Sequence, residues 1–317
     1  MSTAPAALLV WAWGGLQSAM AATPGTPGVA VPLYALDGTC ADRRFPRLAG
    51  DWAIGCDKGG MLDHAIHLLD GRSIRIDPPL DPRHTAVSAG PTDSSAVLVE
   101  VADRTRVVDL RVTGATDRTE VTRLPAAPIA PPTTTARHFA ALLPDRVEAL
   151  AHNTRVRPTF AASPVAWYPP ALAWPHVAWV ERNAQQRETV WVVQTHPPAD
   201  PHPILESTHH QRHVVSDGTT FVWVDGGQLR TWNPETDQQQ VIPAATGFHA
   251  PPTISGGVVC WEERRDPPGS ARPRADIDIL CTDGLSAAGP GDQLFPSRSG
   301  PWLLYRSAGH TWLRTAP

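Results

Sequence analysis

The stretch that decides the fold is Pro252-Thr253-Ile254-Ser255-Gly256-Gly257-Val258-Val259-Cys260-Trp261-Glu262-Glu263. It reads as a short apolar strand, a turn of small residues, and an alternating apolar strand that carries a tryptophan and ends in carboxylates. The same pattern recurs at residues 46–57, 170–181, 213–225 and 296–306. A strand-built unit that returns about every 40 residues is typical of a propeller or a repeat array.

The composition is that of a turn-rich β chain. Its 317 residues include 34 Pro and 24 Gly, and Trp (12) outnumbers Phe (6) and Tyr (3) together. Short strands joined by many turns, with large aromatic side chains in the wedge-shaped spaces between sheets, use residues in this way. Lys and Arg total 27 against 31 Asp and Glu, a formal net charge of −4. We therefore expect no nucleic-acid partner, because binding to a phosphate backbone requires clustered basic residues.

The number of repeats sets the number of blades. Residues 126–168 break the rhythm and are either a degenerate blade or an insertion, and the apolar spacing within residues 136–153 would also suit a short helix. We predict one all-β domain, a β-propeller over residues 31–317, with about six four-stranded blades and seven as the alternative. The clear units are centred near Trp52, Leu98, Trp179, Trp223, Trp261 and Trp302.

The two ends of the chain are expected to meet. Residues 31–36 read as a strand with no partner before it, and the last unit has too few strands for a blade of its own. A closed ring leaves no exposed edge at such a seam. We therefore expect the N-terminal strand to complete the C-terminal blade, and we expect the protein to be a monomer.

The N-terminus reads as an export signal. Residues 6–13 form an apolar core, and Ala19-Met20-Ala21 is a cleavage site of small residues. We assign residues 1–21 to a signal peptide and the Pro/Gly/Thr-rich residues 22–30 to a flexible tether. The apolar run is shorter than the roughly 20 residues that a bilayer span requires. The expected location is periplasmic or secreted, without a membrane span.

Four cysteines fit an oxidising compartment. They allow three connectivities, and we favour Cys40 with Cys56 and Cys260 with Cys281 because each pair closes within one local unit. Four buried thiols remain the alternative. No metal site is expected, since the chain has no CxxC pair.

The phrase Val258-Val259-Cys260-Trp261-Glu262-Glu263-Arg264-Arg265, followed by Asp276-Ile277-Asp278-Ile279-Leu280, resembles the strand–Trp–acid–Arg unit of TolB-like β-propellers and related exported bacterial repeat proteins. The match is specific over residues 254–280, and most of residues 31–317 follow it as a looser pattern. The resemblance implies an envelope location and a role as a protein-binding platform. Relatives in the wider propeller world include hydrolases and lyases, so it implies fold more firmly than activity.

The chain contains acidic residues and histidines of the kinds that act in catalysis, but their positions are better explained by structural roles. The acids Asp57, Glu181, Asp225, Glu262 and Glu263 follow the repeated strand, and one acid per blade is better explained by strand capping than by catalysis. The group His209-His210-Gln211-Arg212-His213 reads as surface loop, without a metal-binding spacing. No GxSxG elbow and no phosphate or dinucleotide loop occurs, so we predict no catalytic residue and no cofactor.

The remaining candidates are aromatic. Four repeated tryptophans are expected to pack between blades. Trp167, Tyr168 and Trp174 lie outside the repeat among prolines, where they would form a binding face. We predict a non-catalytic scaffold that holds a protein or peptide partner in the envelope through one loop face. The alternative is an exported polysaccharide hydrolase or lyase with carboxylates at the mouth of the central channel, so enzymatic activity is left open.

Overall fold

The computed structural model describes residues 30–316, apart from residues 39, 43–44, 57–58, 91–94, 102–104, 112–113, 121–123, 125–126, 152–158, 167, 206, 208, 244–249, 266–275 and 289–290. The proposed signal peptide, the tether up to residue 29, and the candidates Asp57 and Trp167 lie outside the described residues. The one helical element in the described ranges is a three-residue turn, so no helix there has the length of a bilayer span.

The described strands form seven antiparallel sheets of four strands each, which we number as blades. β1 (Ala30–Pro32) and a turn of 3-10 helix (Tyr34–Leu36) come first in the chain. Blade 1 contains β2 (Arg47–Ala49), β3 (Trp52–Gly55), β4 (Leu62–His67) and β5 (Ser73–Leu80). Blade 2 contains β6 (Thr85–Ala89), β7 (Ser95–Val101), β8 (Thr105–Arg111) and β9 (Gly114–Glu120). Blade 3 contains β10 (Thr133–Thr134), β11 (His138–Leu143), β12 (Arg146–Ala151) and β13 (Thr159–Ala161).

The second half of the ring repeats this order. Blade 4 contains β14 (Ala171–Ala173), β15 (His176–Arg182), β16 (Glu188–Gln194) and β17 (His202–Pro203). Blade 5 contains β18 (Gln211–Ser216), β19 (Phe221–Asp225), β20 (Gln228–Asn233) and β21 (Gln238–Ile242). Blade 6 contains β22 (Thr253–Ser255), β23 (Val258–Arg265), β24 (Asp276–Cys281) and β25 (Ser286–Ala287). Blade 7 contains β26 (Gln293–Ser299), β27 (Trp302–Ser307), β28 (His310–Thr315) and β1.

The predicted β-propeller and its closure are confirmed, and the number of blades is seven, the higher of the two counts. The first strands of successive blades lie next to one another around the axis. β1 pairs antiparallel with β28, with Val31 opposite Leu313, and so supplies the outer strand of blade 7. The carboxylate of Asp37 secures this seam, because it contacts Nδ1 of His310 at 2.7 Å and accepts the Thr311 N–H at 2.6 Å.

Each interface between neighbouring blades contains a buried aromatic side chain, because the radial sheets leave a wedge that small side chains do not fill. Side chains alternate along each second strand, so one half of them faces the preceding blade and the other half the following blade. The aromatic residues, from the interface of blades 1 and 2 onward, are Trp52, Phe139, Trp179, Trp223, Trp261, Tyr305 and Trp302.

Blade 3 is formed by strands within residues 133–151 and 159–161, and the described residues of this region contain no helix. In β11, Phe139 packs toward blade 2, whereas Ala140 and Leu142 pack toward blade 4. Because both faces of this strand are buried, its apolar run has no visible alternation and can be mistaken for a helix. Pro144 lies in the turn that joins β11 to β12.

Two disulfides lie within the described residues, with the connectivity that the spacing favours. Cys260 and Cys281 are direct register partners on β23 and β24, where they staple one blade internally. Cys40 and Cys56 join the segment after β1 to the end of β3. This second bond fixes the N-terminal segment to blade 1, next to the seam that β1 closes.

Candidate functional site: the axial channel and its front mouth

A cavity of about 470 Å³ runs along the propeller axis and is lined by the first strands of all seven blades. Hydroxyl side chains dominate its polar wall, and Arg47, Asp217 and Arg298 are its charged side chains among the described residues. The hydroxyl groups belong to Thr85, Ser88, Thr133, Thr134, Thr135, Ser216, Thr253, Ser255, Ser297 and Ser299. A wall of this kind suits a neutral or weakly charged polar ligand.

The channel has two different ends. We call the end at which the first strands begin the front mouth, with Tyr168 and His213, and the end at which they finish the back mouth, with Trp174 and Asp217. Tyr168 and Trp174 flank the extended strand β14 on either side, and six extended residues span about 20 Å. The two aromatic candidates therefore belong to different mouths of the channel.

Tyr168 lies half-buried at the front mouth. Its ring meets His213 edge-to-face, with ring centroids 5.3 Å apart and an interplanar angle of 87°. Burial, followed by the nearby carboxylate of Glu188, raises the pKa of Tyr168, while the positive charge of Arg212 opposes this shift. The phenol is therefore neutral at physiological pH and presents a hydroxyl group to a ligand.

His213 occupies a β-bulge in β18, where its backbone adopts φ +57°. Burial lowers the pKa of His213 to about 4, with a further lowering from the neighbouring Arg212. The ring is consequently neutral at pH 7, and its buried Nδ1 has no hydrogen-bond partner among the described residues. The same bulge recurs in β26, where Phe295 takes the equivalent position with φ +56°.

A charged cluster surrounds this mouth between blades 4 and 5. The buried carboxylate of Glu188 pairs with Arg182 at 2.7 Å, and His210 Nδ1 lies 3.9 Å from its other oxygen. Asp225, also buried, accepts hydrogen bonds from Ser207 and Arg230. The acids are thus covered, and the side chains that reach solvent are basic.

Apart from Arg182, the exposed side chains of this cluster come from the histidine-rich stretch. The side chain of His209 is 67% exposed and that of His210 is 55% exposed, while Arg212 lies beside them on β18. Sequence reasoning placed this stretch in a surface loop. The structure divides it between the connection from blade 4 and the start of an inner strand, which brings it to the front mouth.

The back mouth is built differently. The indole of Trp174 stacks on the imidazole of His138, with centroids 3.8 Å apart and planes 7° apart. Burial lowers the pKa of His138 and keeps this ring neutral. Asp217 accepts backbone N–H groups from Thr219 and from Gly257 of the next blade. This carboxylate is therefore engaged in joining blades 5 and 6.

The recurrent acids follow the structural interpretation where they are described. Glu181 and Glu263 each accept the indole N–H of the tryptophan two residues earlier, at 2.9 and 3.2 Å. Glu262 is buried and accepts the backbone N–H of Phe295 in blade 7. Asp225 occupies the corresponding place in blade 5, but the indole of Trp223 has no hydrogen-bond partner among the described residues.

Sequence reasoning did not find the ion pair at the front mouth or the ion pair between blades 6 and 7. Arg182 and Glu188 are six residues apart and meet only because β15 and β16 pair across a hairpin. Arg298, a buried channel residue, pairs with Asp283 of the neighbouring blade at 2.8 Å. An alternating Arg and Glu around a turn signals a cross-strand pair, whereas no local signal predicts a contact between blades.

Solved structures similar to this chain are β-propellers. BamB from Moraxella catarrhalis matches with a TM-score of 0.50 and 14% identity over 91% of this chain and 99% of that one. The β-propeller domain of Myceliophteria thermophila Cps50 (Swd1) matches with a TM-score of 0.55 and 12% identity over 91% of this chain and 100% of that one. An oligogalacturonate lyase in complex with manganese matches with a TM-score of 0.54 and 12% identity over 92% of this chain and 98% of that one.

No protein-family model matches the chain, and no curated protein matches its sequence. The structural neighbours differ widely in what they do, and at this level of identity they share with this chain its architecture alone. The chain is a seven-bladed β-propeller.

Proposed function

We propose that this protein is an exported, non-catalytic scaffold of TolB-like type that binds a protein or peptide ligand at the front mouth of its channel. The observation that carries the proposal is the combination of exposed basic side chains with a half-buried Tyr168 at one mouth. Aromatic and Arg side chains at the rim of a pocket are the usual anchors of protein recognition. Two disulfides support an oxidising location outside the cytoplasm.

The alternative, a polysaccharide hydrolase or lyase, calls for a pair of carboxylates at a channel mouth, one of them with a raised pKa. The described channel wall offers Asp217, whose oxygens already accept backbone N–H groups from two blades. The buried acids near the front mouth are neutralised by Arg182 and Arg230. Ligand binding needs none of these groups to exchange a proton, so the scaffold is the better-supported function.

The test is a pull-down from envelope extract with the mature chain, followed by a measured Kd for the purified partner. Arg212→Glu reverses an exposed charge at the front mouth, and Arg137→Glu makes the same change beside the back mouth. We expect one stoichiometric partner whose affinity falls at least tenfold with Arg212→Glu and is unchanged with Arg137→Glu. Equal affinity for both variants would refute the front-mouth site. Cleavage of a polysaccharide panel with no captured partner would favour the enzyme.

A further inference from the structure

The outer strands of the seven blades are the sheet edges of this molecule. An outer strand presents unpaired N–H and C=O groups, and natural proteins protect such edges with short strands, proline or charge. Five of the seven outer strands are protected by length or by proline. β13, β17 and β25 contain three, two and two residues, β1 contains three and ends in Pro32, and β5 contains Pro78 and Pro79.

The two remaining outer strands differ in sequence. The sequence of β9 contains three charged residues, Asp117, Arg118 and Glu120. β21, Gln238-Gln239-Gln240-Val241-Ile242, has five residues and contains neither proline nor a charged side chain. Its first four residues are exposed, and Val241 is 45% exposed despite its apolar side chain. Among the described outer strands, β21 is the edge that lacks all three kinds of protection.

The backbone of β21 defines what fits against it. All five of its residues pair with β20 on one side, and alternate residues direct their N–H and C=O groups away from the sheet on the other. An extended backbone satisfies this row of groups. The molecule already completes one blade in this way, because β1 adds to blade 7 from the opposite end of the sequence.

Size and charge select the kind of partner. A five-residue strand pair buries far less than the roughly 1,000 Å² that a stable interface between two copies needs, which favours a single extended segment. The turn before β21 carries Glu235 and Asp237 with no basic residue between them and the strand. A segment antiparallel to β21 would place its C-terminal part beside these acids, where Lys or Arg is favourable.

We propose that β21 is a strand-addition site that binds an extended peptide, uncharged along its length and basic at its C-terminal end. Main-chain hydrogen bonds provide the affinity, and Val241 together with the neighbouring glutamine side chains selects alternate residues of the peptide. This site lies on the outer rim of blade 5 and does not depend on the front mouth.

The probe is the synthetic peptide acetyl-Thr-Val-Thr-Val-Thr-Lys-Lys-amide, titrated into the full mature chain with hydrogen exchange measured by mass spectrometry. We expect a saturable gain in protection for those backbone amides of residues 238–242 that face away from β20, and no gain at the proline-containing β5. A peptide with N-methyl groups on alternate residues should lose at least tenfold in affinity. A matched peptide that ends in Glu-Glu should also bind more weakly.

Two protein variants complete the test. Gln239→Pro and Gln240→Pro are compared because one of these two residues directs its N–H toward β20 and the other directs it outward. Replacing the residue whose N–H points outward should leave thermal unfolding unchanged. That tolerated variant should lose the protection, whereas Arg212→Glu at the front mouth should keep it. Absence of protection at residues 238–242, equal protection at β5, or undiminished binding to the tolerated proline variant would each overturn the strand-addition site.

Discussion

Blade 5 supplies Phe221 and Trp223 to its interface with blade 4, whereas blade 2 carries no aromatic side chain in any of its four described strands. Both blades are complete, because Trp52 from blade 1 and Phe139 from blade 3 fill the two interfaces of blade 2. The physical requirement is one large side chain for each wedge between blades. A count of tryptophans therefore undercounts the blades wherever a neighbour supplies the filling residue.

The largest expected effect on stability comes from removing the aromatic side chain that fills an interface between blades. Trp179→Ala and Phe139→Ala should each lower the free energy of unfolding by about 3–5 kcal/mol, because each opens a cavity in a fully buried interface. Chemical denaturation measures the loss. Trp191→Ala, which removes a half-buried tryptophan directly opposite Trp179, is the control and should cost less. A loss for Phe139→Ala below that of the control would show that blade 3 is not packed as its neighbours are.

A smaller effect concerns the interface of blades 6 and 7, where Tyr305 packs beside the Cys260–Cys281 disulfide. Replacing both cysteines by alanine frees a loop of 21 residues, for which we expect a loss of about 3 kcal/mol. The measurement is denaturation of the double variant beside the parent under oxidising conditions.

The same replacement of Cys40 and Cys56 should loosen the contact of the N-terminal segment with blade 1, which would be visible as faster hydrogen exchange in β1. Unchanged exchange in β1 would contradict that role.

The two bulged inner strands, β18 and β26, differ in their αL residue, which is His213 in one and Phe295 in the other. Burial holds the folded-state pKa of His213 at about 4, below the unfolded value of about 6.5. The unfolded chain therefore takes up the proton first. The contribution of the neutral His213 ring to the free energy of unfolding is therefore complete above pH 6.5. It is lost as the pH falls toward 4, which lowers the free energy of unfolding by at most about 3 kcal/mol.

The variant His213→Asn tests this dependence, since asparagine tolerates the left-handed backbone conformation. Stability measured from pH 7 to pH 4 should fall less steeply in this variant than in the parent chain. His209→Asn, at an exposed position of the same stretch, is the matched control and should keep the parent slope. A slope that His213→Asn leaves unchanged would contradict the assignment.

The smallest expected effect is a difference in stability between variants of Trp179 and Trp223, two buried tryptophans at the same position of the repeat. The indole N–H of Trp179 donates to Glu181, whereas the buried indole N–H of Trp223 has no partner among the described residues. Trp179→Phe should therefore cost about 1 kcal/mol more than Trp223→Phe, because it leaves the Glu181 carboxylate with one fewer donor. Paired denaturation curves decide this, and a larger loss at Trp223 would reverse the argument.

Much of the architecture was readable from local pattern. The turn signals and the alternation around Trp261 predicted the strands of blade 6, and the unpaired strand near Val31 predicted the closure of the ring. The apolar spacing that would also have suited a helix belongs to two strands, β11 and β12, since a strand buried on both faces loses the period of two that identifies it. Six blades were preferred to the alternative of seven because residues 126–168 could be an insertion, whereas β10, β11, β12 and β13 form a complete four-stranded blade there.

The candidate site was less predictable. Tyr168 and Trp174 looked like one cluster because they are close in sequence, but an intervening extended strand sends them to opposite mouths. The pairing of Arg182 with Glu188 depends on hairpin register, and the contact of Arg298 with Asp283 depends on how two blades pack. The positive φ of His213 could not be predicted from the sequence, because the position is not occupied by glycine or asparagine, the residues that usually adopt this conformation.

The amino-acid sequence by itself determined the repeating sheet and its closure by the first strand, and it favoured the local pairing of the cysteines, because short-range alternation, turns and spacing control these features. Only the tertiary structure decided the number of blades and the different characters of the two channel mouths. Those properties arise where residues from different repeats meet, and contacts between repeats leave no periodic signal along the chain.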